Sequence, residues 1–273
     1  MYKLICIDMD GTLLNSNHEV SEENKKALKE ATDKGVHIAI TTGRVVKCAS
    51  KYASILGINT PIISTNGAYI SEIGREEAIY NNPMTIEELD FYLDIAEKYD
   101  LMTYFSTSEG VVTNKPLPND HSYVVMNSRL EEVDRVEILV VDDYREAFRT
   151  LDGRILKGIS IDSKNPEKVL KAKEEVASNK SLNVVTSWAN NFEVMDSKSS
   201  KGDGVKKLAE FLNIKQEEVM CIGDSENDKS MLEYAGLGVA MGNATEEIKS
   251  IAGYVTLDNN QSGVAKAIRK FVL

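Results

Sequence analysis

Residues 4–12 read LICIDMDGT. The apolar run LICID (4–8) is the kind of short strand that lies buried on both faces of a parallel sheet. It stops at two aspartates one residue apart, Asp8 and Asp10, with Gly11 and Thr12 directly behind. Two like charges that close repel each other, and neither has a basic neighbour in sequence. A divalent cation between them, bound also by a third carboxylate, would make the pair tolerable. Gly11 lets the chain turn tightly there, and Thr12 ties that turn together through its hydroxyl.

Outward from this strand, the first third of the chain alternates. SEENKKALKEATDKG (21–35) reads as a helix, with Ser21 as N-cap, acids in the first turn and Gly35 at the stop. VHIAIT (36–41) reads as a second buried strand, VVKCASKYASILG (45–57) as a helix ending on Gly57, and PIIST (61–65) as a third strand. Asn66-Gly67 then turns the chain into a hairpin with AYISE. The last third resumes the pattern: helix KGDGVKKLAEFLNI, strand VMCIG (219–223), helix NDKSMLEYAG and strand LGVAM (237–241). A helix near 245–252, a short strand GYVT and a final helix follow. Alternation of this kind predicts an α/β fold with a doubly wound, Rossmann-like parallel sheet.

The middle differs. A Thr85-x-x-Glu88 capping box opens the helix TIEELDFYLDIAEKYD. Strand-like LMTYFST, GVVTN, VEILVVDD and LKGISID follow, then the amphipathic PEKVLKAKEEVASN and a hairpin-like LNVVTSWANNFEVMD. Helices grouped against hairpins predict an α+β module with an antiparallel sheet. Residues 83–191 are therefore expected to form a second domain inserted into a core made of residues 1–82 and 192–273. The aromatics Phe91, Tyr92, Tyr99, Tyr104, Phe105 and Trp188 read as the interior of that insert, not as a stacking surface.

Bulk properties narrow the partners. The 273 residues carry a net charge of -11 with no basic block to offset it, which argues against nucleic acid or an anionic membrane. An anionic substrate would have to be attracted locally, by a metal, a lysine or backbone dipoles. Cys6, Cys48 and Cys221 form no CxxC, and Cys6 and Cys221, inside apolar strand-like runs, read as core thiols of a reducing compartment. With no charged-then-apolar leader and no span of roughly 20 apolar residues, a cytoplasmic protein is expected.

Open α/β sheets bind ligands beyond the carboxyl ends of their strands. DMDGT, TTGR (41–44) and GDSEND (223–228) fall at such ends, and SKSSKGDGV (197–205) opens the helix after the insert. Asp224 is the natural third metal ligand beside Asp8 and Asp10, and an oxygen-only site with room for water suits Mg²⁺. One ionised, metal-bound carboxylate can then attack phosphorus and the other can move the proton. Thr42 and the Gly43 amide, at the mouth of a helix, are phosphate contacts, with Arg44 pinning the loop. Lys201 is the only well-placed local cation, Lys198 and Lys206 being better read as solvated. Asn227 and Asp228 lie one helical turn beyond Asp224, in reach of the phosphate and the lysine. Other chemistries lack their residues: His18, His37 and His121 are too scattered for zinc, and there is neither a Gly-x-Ser-x-Gly elbow nor Walker A spacing at Gly202.

These four clusters, in this order, resemble the four motifs of the haloacid dehalogenase (HAD) superfamily. An insert between the second and third motifs resembles the Cof-type class IIB subfamily with its α/β cap, and the likeness to YidA-like sugar phosphatases runs end to end. The resemblance implies Asp8 as nucleophile, Asp10 as acid/base, and Mg²⁺ held by Asp8, the Asp10 carbonyl and Asp224. It further implies phosphate contacts from the Met9 amide, Thr42, Gly43, Lys201 and Asn227. Two departures, Val45 after TTGR and Lys229 after GDSEND, shift a loop or a helix face without touching the chemistry. The function so implied is Mg²⁺-dependent hydrolysis of small phosphate esters, sugar phosphates in particular, through an aspartyl-phosphate. A phosphomutase or phosphotransferase using the same intermediate, and a non-catalytic phosphometabolite-binding protein, are the alternatives. The sequence leaves the oligomeric state open.

Overall fold

The computed structural model describes residues 1–57, 60–72, 74–128, 130–132, 135–187 and 190–273. The first third runs β1 (Leu4–Asp8), α1 (Glu22–Asp33), β2 (His37–Thr41), α2 (Val46–Leu56), β3 (Pro61–Ser64), β4 (Tyr69–Glu72) and β5 (Tyr80–Asn81). The middle runs α3 (Ile86–Lys98), β6 (Met102–Ser106), β7 (Gly110–Thr113), α4 (Ser122–Asn127), β8 (Glu137–Val140), α5 (Tyr144–Thr150), β9 (Lys157–Ile161), α6 (Pro166–Val176), β10 (Leu182–Val185) and β11 (Asn191–Asp196). The last third runs α7 (Lys201–Phe211), β12 (Val219–Gly223), α8 (Lys229–Tyr234), β13 (Leu237–Ala240), α9 (Glu246–Ile251), β14 (Tyr254–Val255) and α10 (Gly263–Phe271).

The outer thirds build one sheet, in the order β14-β13-β12-β1-β2-β3-β4-β5. Pairings from β14 to β3 are parallel, and β4 and β5 add an antiparallel edge through the turn at Asn66-Gly67. β1 and β12 are buried along their whole length, as continuous apolar runs at the middle of a parallel sheet require. Alternate residues of β1 feed opposite faces: Ile5 and Ile7 pack with α1 and α10, Leu4 and Cys6 with α7, α8 and α9. Local signals act where the sequence places them. Ser21 accepts from the Asn24 amide at 3.2 Å, and Thr85 and Glu88 close their capping box at 3.2 and 2.9 Å. The three cysteines are free and buried.

The middle third builds a second sheet, ordered β10-β11-β9-β6-β7-β8. Its neighbours are antiparallel except for β7 and β8, which run parallel. The limit read at residue 191 falls where β11 begins; the ladder continues to Asp196. α3, α5 and α6 cover one face, with Tyr92 and Phe105 inside that cluster and Phe91 and Tyr99 at its margin. Tyr104 lies on the opposite face with Val111 and Ile159, packed on Val45 and Cys48 at the start of α2. Trp188 lies outside the described residues. This opposite face of the second sheet, together with Tyr123 of α4, thus rests on the first domain. Asn82 ties the two connecting segments together, bonding to Asp196 and to Ser199, each at 2.8 Å. Among the described residues no helix is long and apolar enough to cross a membrane.

Candidate active site

Strand order decides which side chains meet. β12, β1 and β2 are neighbours, so the carboxyl ends carrying Asp224, Asp8 and Thr42 adjoin although they are up to 216 residues apart in sequence. Gly11 has φ +82°, and a Cβ there would lie 2.6 Å from Asp224 Oδ2. Only glycine lets the turn after β1 lie this close to the third carboxylate. Thr12 was expected to bind its own turn; instead its hydroxyl donates to Asp224 Oδ1 at 2.7 Å, joining the ends of two strands.

Ser200 caps α7, and Lys201, the first helical residue, points back across the strand ends. Its ammonium donates to Asp8 Oδ1 at 2.6 Å and to Asp228 Oδ1 at 2.5 Å, all three side chains being buried. The other oxygen of Asp228 accepts from the amides of Asp224 and Ser225 at 2.9 and 3.0 Å, which fixes the loop after β12. Lys198 and Lys206 are exposed, as expected.

Asp8, Asp224 and Asp228 offer carboxylate oxygens that all lie within 4.8 Å of one another. Three carboxylates thus face one ammonium, a formal excess of two negative charges. The consequence is visible in their acidities. Burial, then the charge of Asp228, pushes Asp8 well above the usual carboxylate range against the pull of Lys201. Burial and Asp228 likewise push Asp224 up to about 7. Burial alone would lower Lys201, but Asp228 and Asp8 raise it, so the lysine stays charged. A hard, oxygen-only set with surplus negative charge fits a divalent cation. Asp8 and Asp224 are its freer donors, since Asp228 is engaged by Lys201 and two amides.

Asp10 departs from the expected arrangement. Its carboxylate does not share the cluster; it accepts from Arg44 Nε at 2.7 Å and from the terminal guanidinium nitrogen at 2.5 Å. Two carboxylates one residue apart on a turn point in different directions, and the fold answers the second with an arginine from the end of β2. Arg44 therefore pins Asp10 as well as its own loop. Its amide donates to Thr42 Oγ1 at 3.1 Å, and Val45 begins α2 without a side-chain cap. The Met9 side chain is buried in the core, leaving its backbone at the strand end. Lys229 points outward to Glu247 at 2.9 Å.

Three participants escaped the sequence reading: Asn66, Lys157 and Glu193. Asn227 reaches Asn66 Oδ1 through its amide nitrogen at 3.2 Å. Asn66 in turn donates to Glu193 Oε2 at 2.6 Å, and Lys157 bonds both Glu193, at 2.6 Å, and the Gly43 carbonyl. Lys201 is thus not the sole cation near the strand ends. A signal existed for Lys157, since Ile159 and Ile161 continue its face of β9 and a lysine there breaks an apolar period. Asn66 looked like a turn residue, which it also is. A cavity of about 370 Å³ adjoins these groups, lined by Asn66, Lys201 and Asn227 of the first domain and Asn183, Val185 and Met195 of the second sheet.

With strand order and site in view, the comparisons with known proteins are direct. The family model for haloacid dehalogenase-like hydrolases matches residues 5–268. Phosphatase YwpJ of Bacillus subtilis is 36% identical over 98% of this chain and 99% of its own length. The 5-amino-6-(5-phospho-D-ribitylamino)uracil phosphatase YcsE of the same organism is 34% identical over 99% and 96%. Among solved structures, a B. subtilis haloacid dehalogenase-like hydrolase superposes with TM-score 0.87 at 32% identity, over 98% of this chain and 99% of that one. The HAD subclass IIB sugar phosphatase BT4131 superposes with TM-score 0.80 at 26% identity, covering 98% of both chains. The chain belongs to the HAD-like hydrolases, and its class of activity is that of a phosphoric monoester hydrolase. Hydrolases of this family generally use a divalent metal, for which the aspartate cluster is suited.

Proposed function

We propose that the protein is a Mg²⁺-dependent phosphatase of small sugar or polyol phosphates, with Asp8 as nucleophile. The observation that carries this is the placement of Lys201 between Asp8 and Asp228, with Asp224 in the same cluster. Lys201 occupies Asp8 Oδ1, while Asp8 Oδ2 receives no hydrogen bond among the described residues and is left to attack. An Asp8 oxygen forms a bond to phosphorus as the ester P–O bond breaks, giving an aspartyl-phosphate and an alcohol. Asp10, aimed by Arg44, gives a proton to the leaving oxygen and takes one from the water that cleaves the intermediate. Thr42, the Gly43 and Met9 amides, Lys201 and Asn227 hold the phosphoryl oxygens.

Asp8, Asp224 and the Asp10 carbonyl would hold the cation. When bound, Mg²⁺ supplies positive charge to the phosphoryl group and cancels the surplus of the cluster. We assign residues 83 to about 196 as the cap: the face of its sheet opposite α3, α5 and α6 covers the strand ends and excludes water from the reacting atoms. The cavity beside Lys201 is where the leaving group sits, and its largely polar lining, in which the amides of Asn66, Asn183 and Asn227 stand with Ser200, Asp203 and Glu226, offers donors and acceptors to a polyhydroxylated chain. Support for that class comes from the sugar phosphatase and ribitylaminouracil phosphatases among the similar proteins. The test is phosphate release from a panel of sugar, polyol, nucleotide, flavin and pyridoxal phosphates with Mg²⁺, using Asp8→Asn as blank. Release confined to the blank's level across the panel would refute the reading, and consumption of the ester only when an acceptor alcohol is added, with the phosphoryl group recovered on that alcohol, would replace hydrolysis by transfer.

A further inference from the structure

Lys157 and Glu193 form a buried ion pair on the face of the second sheet that meets the first domain. Lys157 shares its face of β9 with Ile159, and Ile159 is in register with both Tyr104 and Glu193. Ile159 and Tyr104 belong to the apolar cluster that continues the seam, where Val45 and Cys48 of the first domain meet Tyr104, Tyr123 and Ile159 of the second. Burying two charges in such a place is costly, and an apolar pair of similar volume would close the seam at least as well. What an apolar pair could not do is make the polar contacts that this pair makes across the seam.

Those contacts have a direction. The Lys157 ammonium donates to the Gly43 carbonyl, while the N–H of the same peptide, that of Arg44, donates to Thr42 Oγ1 at 3.1 Å. One end of the Gly43–Arg44 peptide is held by the second domain and the other by the first, and the Thr42 hydroxyl keeps its proton to donate. Glu193 Oε1 accepts from Ser187 at 2.6 Å and Oε2 accepts from Asn66 Nδ2 at 2.6 Å. A carboxylate only accepts, so it dictates which end of the Asn66 amide is nitrogen. Asn66 Oδ1 must then face Asn227, which presents Nδ2 to it at 3.2 Å and takes Ser225 Oγ on its own oxygen at 3.1 Å. The orientation of the Asn227 amide is set, through Asn66, by a charge on the other domain. Asn66 is moreover held at φ +53°, between Thr65 at φ +47° and Gly67 at φ +93°, a backbone region that non-glycine side chains adopt uncommonly.

We propose that Lys157 and Glu193 are positioning residues: seating of the second domain, through this pair, orients the Gly43–Arg44 peptide and the Asn66–Asn227 amides for binding of the phosphoryl group. This rests on the reading of Thr42, Gly43 and Asn227 as phosphate contacts. Glu193 is held below the usual carboxylate range, since Lys157 and the hydrogen bonds of Ser187 and Asn66 outweigh the upward push of burial.

The test compares Glu193→Gln, Lys157→Met with Glu193→Leu in one chain, and Asn227→Ala, alone and combined with Glu193→Gln. Circular dichroism and melting establish folding; the apolar double replacement is included because it removes both charges and strands neither. The readouts are kcat, KM and inhibition by inorganic phosphate, on the best substrate of the panel above. Both charge-removing variants are expected to fold, to lose at least tenfold in kcat/KM and to be inhibited several-fold less by phosphate. Glu193→Gln should cost clearly less on the Asn227→Ala background than in the wild type, because the two share the Asn66–Asn227 arm and only the Gly43–Arg44 arm is left for the second change to disturb. Folded variants with unchanged kinetics and phosphate inhibition, or losses that multiply on the Asn227→Ala background, would overturn the positioning role while leaving the phosphatase reading intact. Wild-type protein that releases no more phosphate than Asp8→Asn would overturn both.

Discussion

Two lysines of this protein, Lys201 and Lys157, are buried against carboxylates, and their surroundings are opposite in charge balance. Lys201 stands at the head of α7 among Asp8, Asp224 and Asp228, and both Asp8 and Asp224 are pushed upward in acidity constant. Lys157 on β9 faces one carboxylate, Glu193, which is pushed downward. The first cluster is short of positive charge and is suited to take on a cation and act on an anion. The second is complete in itself, and its role is to hold other groups still. The difference teaches that burial of a lysine alone says little about function; the count of carboxylates around it says more.

The largest expected effect separates chemistry from support. Asp8→Asn keeps the shape of the first cluster and removes the attacking oxygen, so phosphate release should fall by about a million-fold, the scale seen when an enzyme loses its nucleophile. Brisk Mg²⁺-dependent release by that variant would break the distinction at its root. Next comes Lys201→Met, which leaves buried carboxylates without their counter-ion. Folding stability should drop by about 3–5 kcal/mol at pH 8. Part should return at pH 5, where protonation of Asp8 and Asp224 relieves the repulsion; urea melts at the two pH values give the answer.

A third prediction concerns the charge excess directly. Asp224 is raised from 3.8 to about 7 without metal, so folding takes up a proton in that interval. The sign follows: the stability that this group contributes is present below pH 3.8 and is lost as pH rises through about 7. The metal-free protein should lose that increment across the window, and Mg²⁺ should raise the melting temperature more at pH 8 than at pH 5. An equal shift at both would sever the aspartate cluster from the cation. The smallest effect serves as the control for the Lys157 pair. Lys173 also joins the second domain to the first, through Glu226 at 2.9 Å, but at a solvent-exposed rim. Lys173→Ala should cost under about 1 kcal/mol and leave turnover within about twofold.

Much of the first cluster was legible before folding. Asp8, Asp224 and Lys201 each sit where an apolar run ends or a helix opens, and such positions are readable because strand and helix periods are local properties. Asp228 was read as reaching the lysine, and it does. What could not be read was direction: Asp10 turned to Arg44, 34 residues away, and Thr12 to Asp224, 212 residues away. The second cluster was hardly legible at all. Lys157 opens β9 and Glu193 lies inside β11, where only pairing reveals which face is buried and against what.

The chain order of residues sufficed for the alternating elements of the outer thirds, the change of pattern in the middle third and the caps at Ser21 and Thr85, because each depends on neighbours a few positions apart. Which carboxylates gather, which is paired off, and which charges of one domain reach into the other depend on strand order and on how one sheet rests upon another. Those are contacts across the whole length of the polypeptide, and electrostatic interactions in a buried site are settled by distances of a few ångströms that no local pattern encodes.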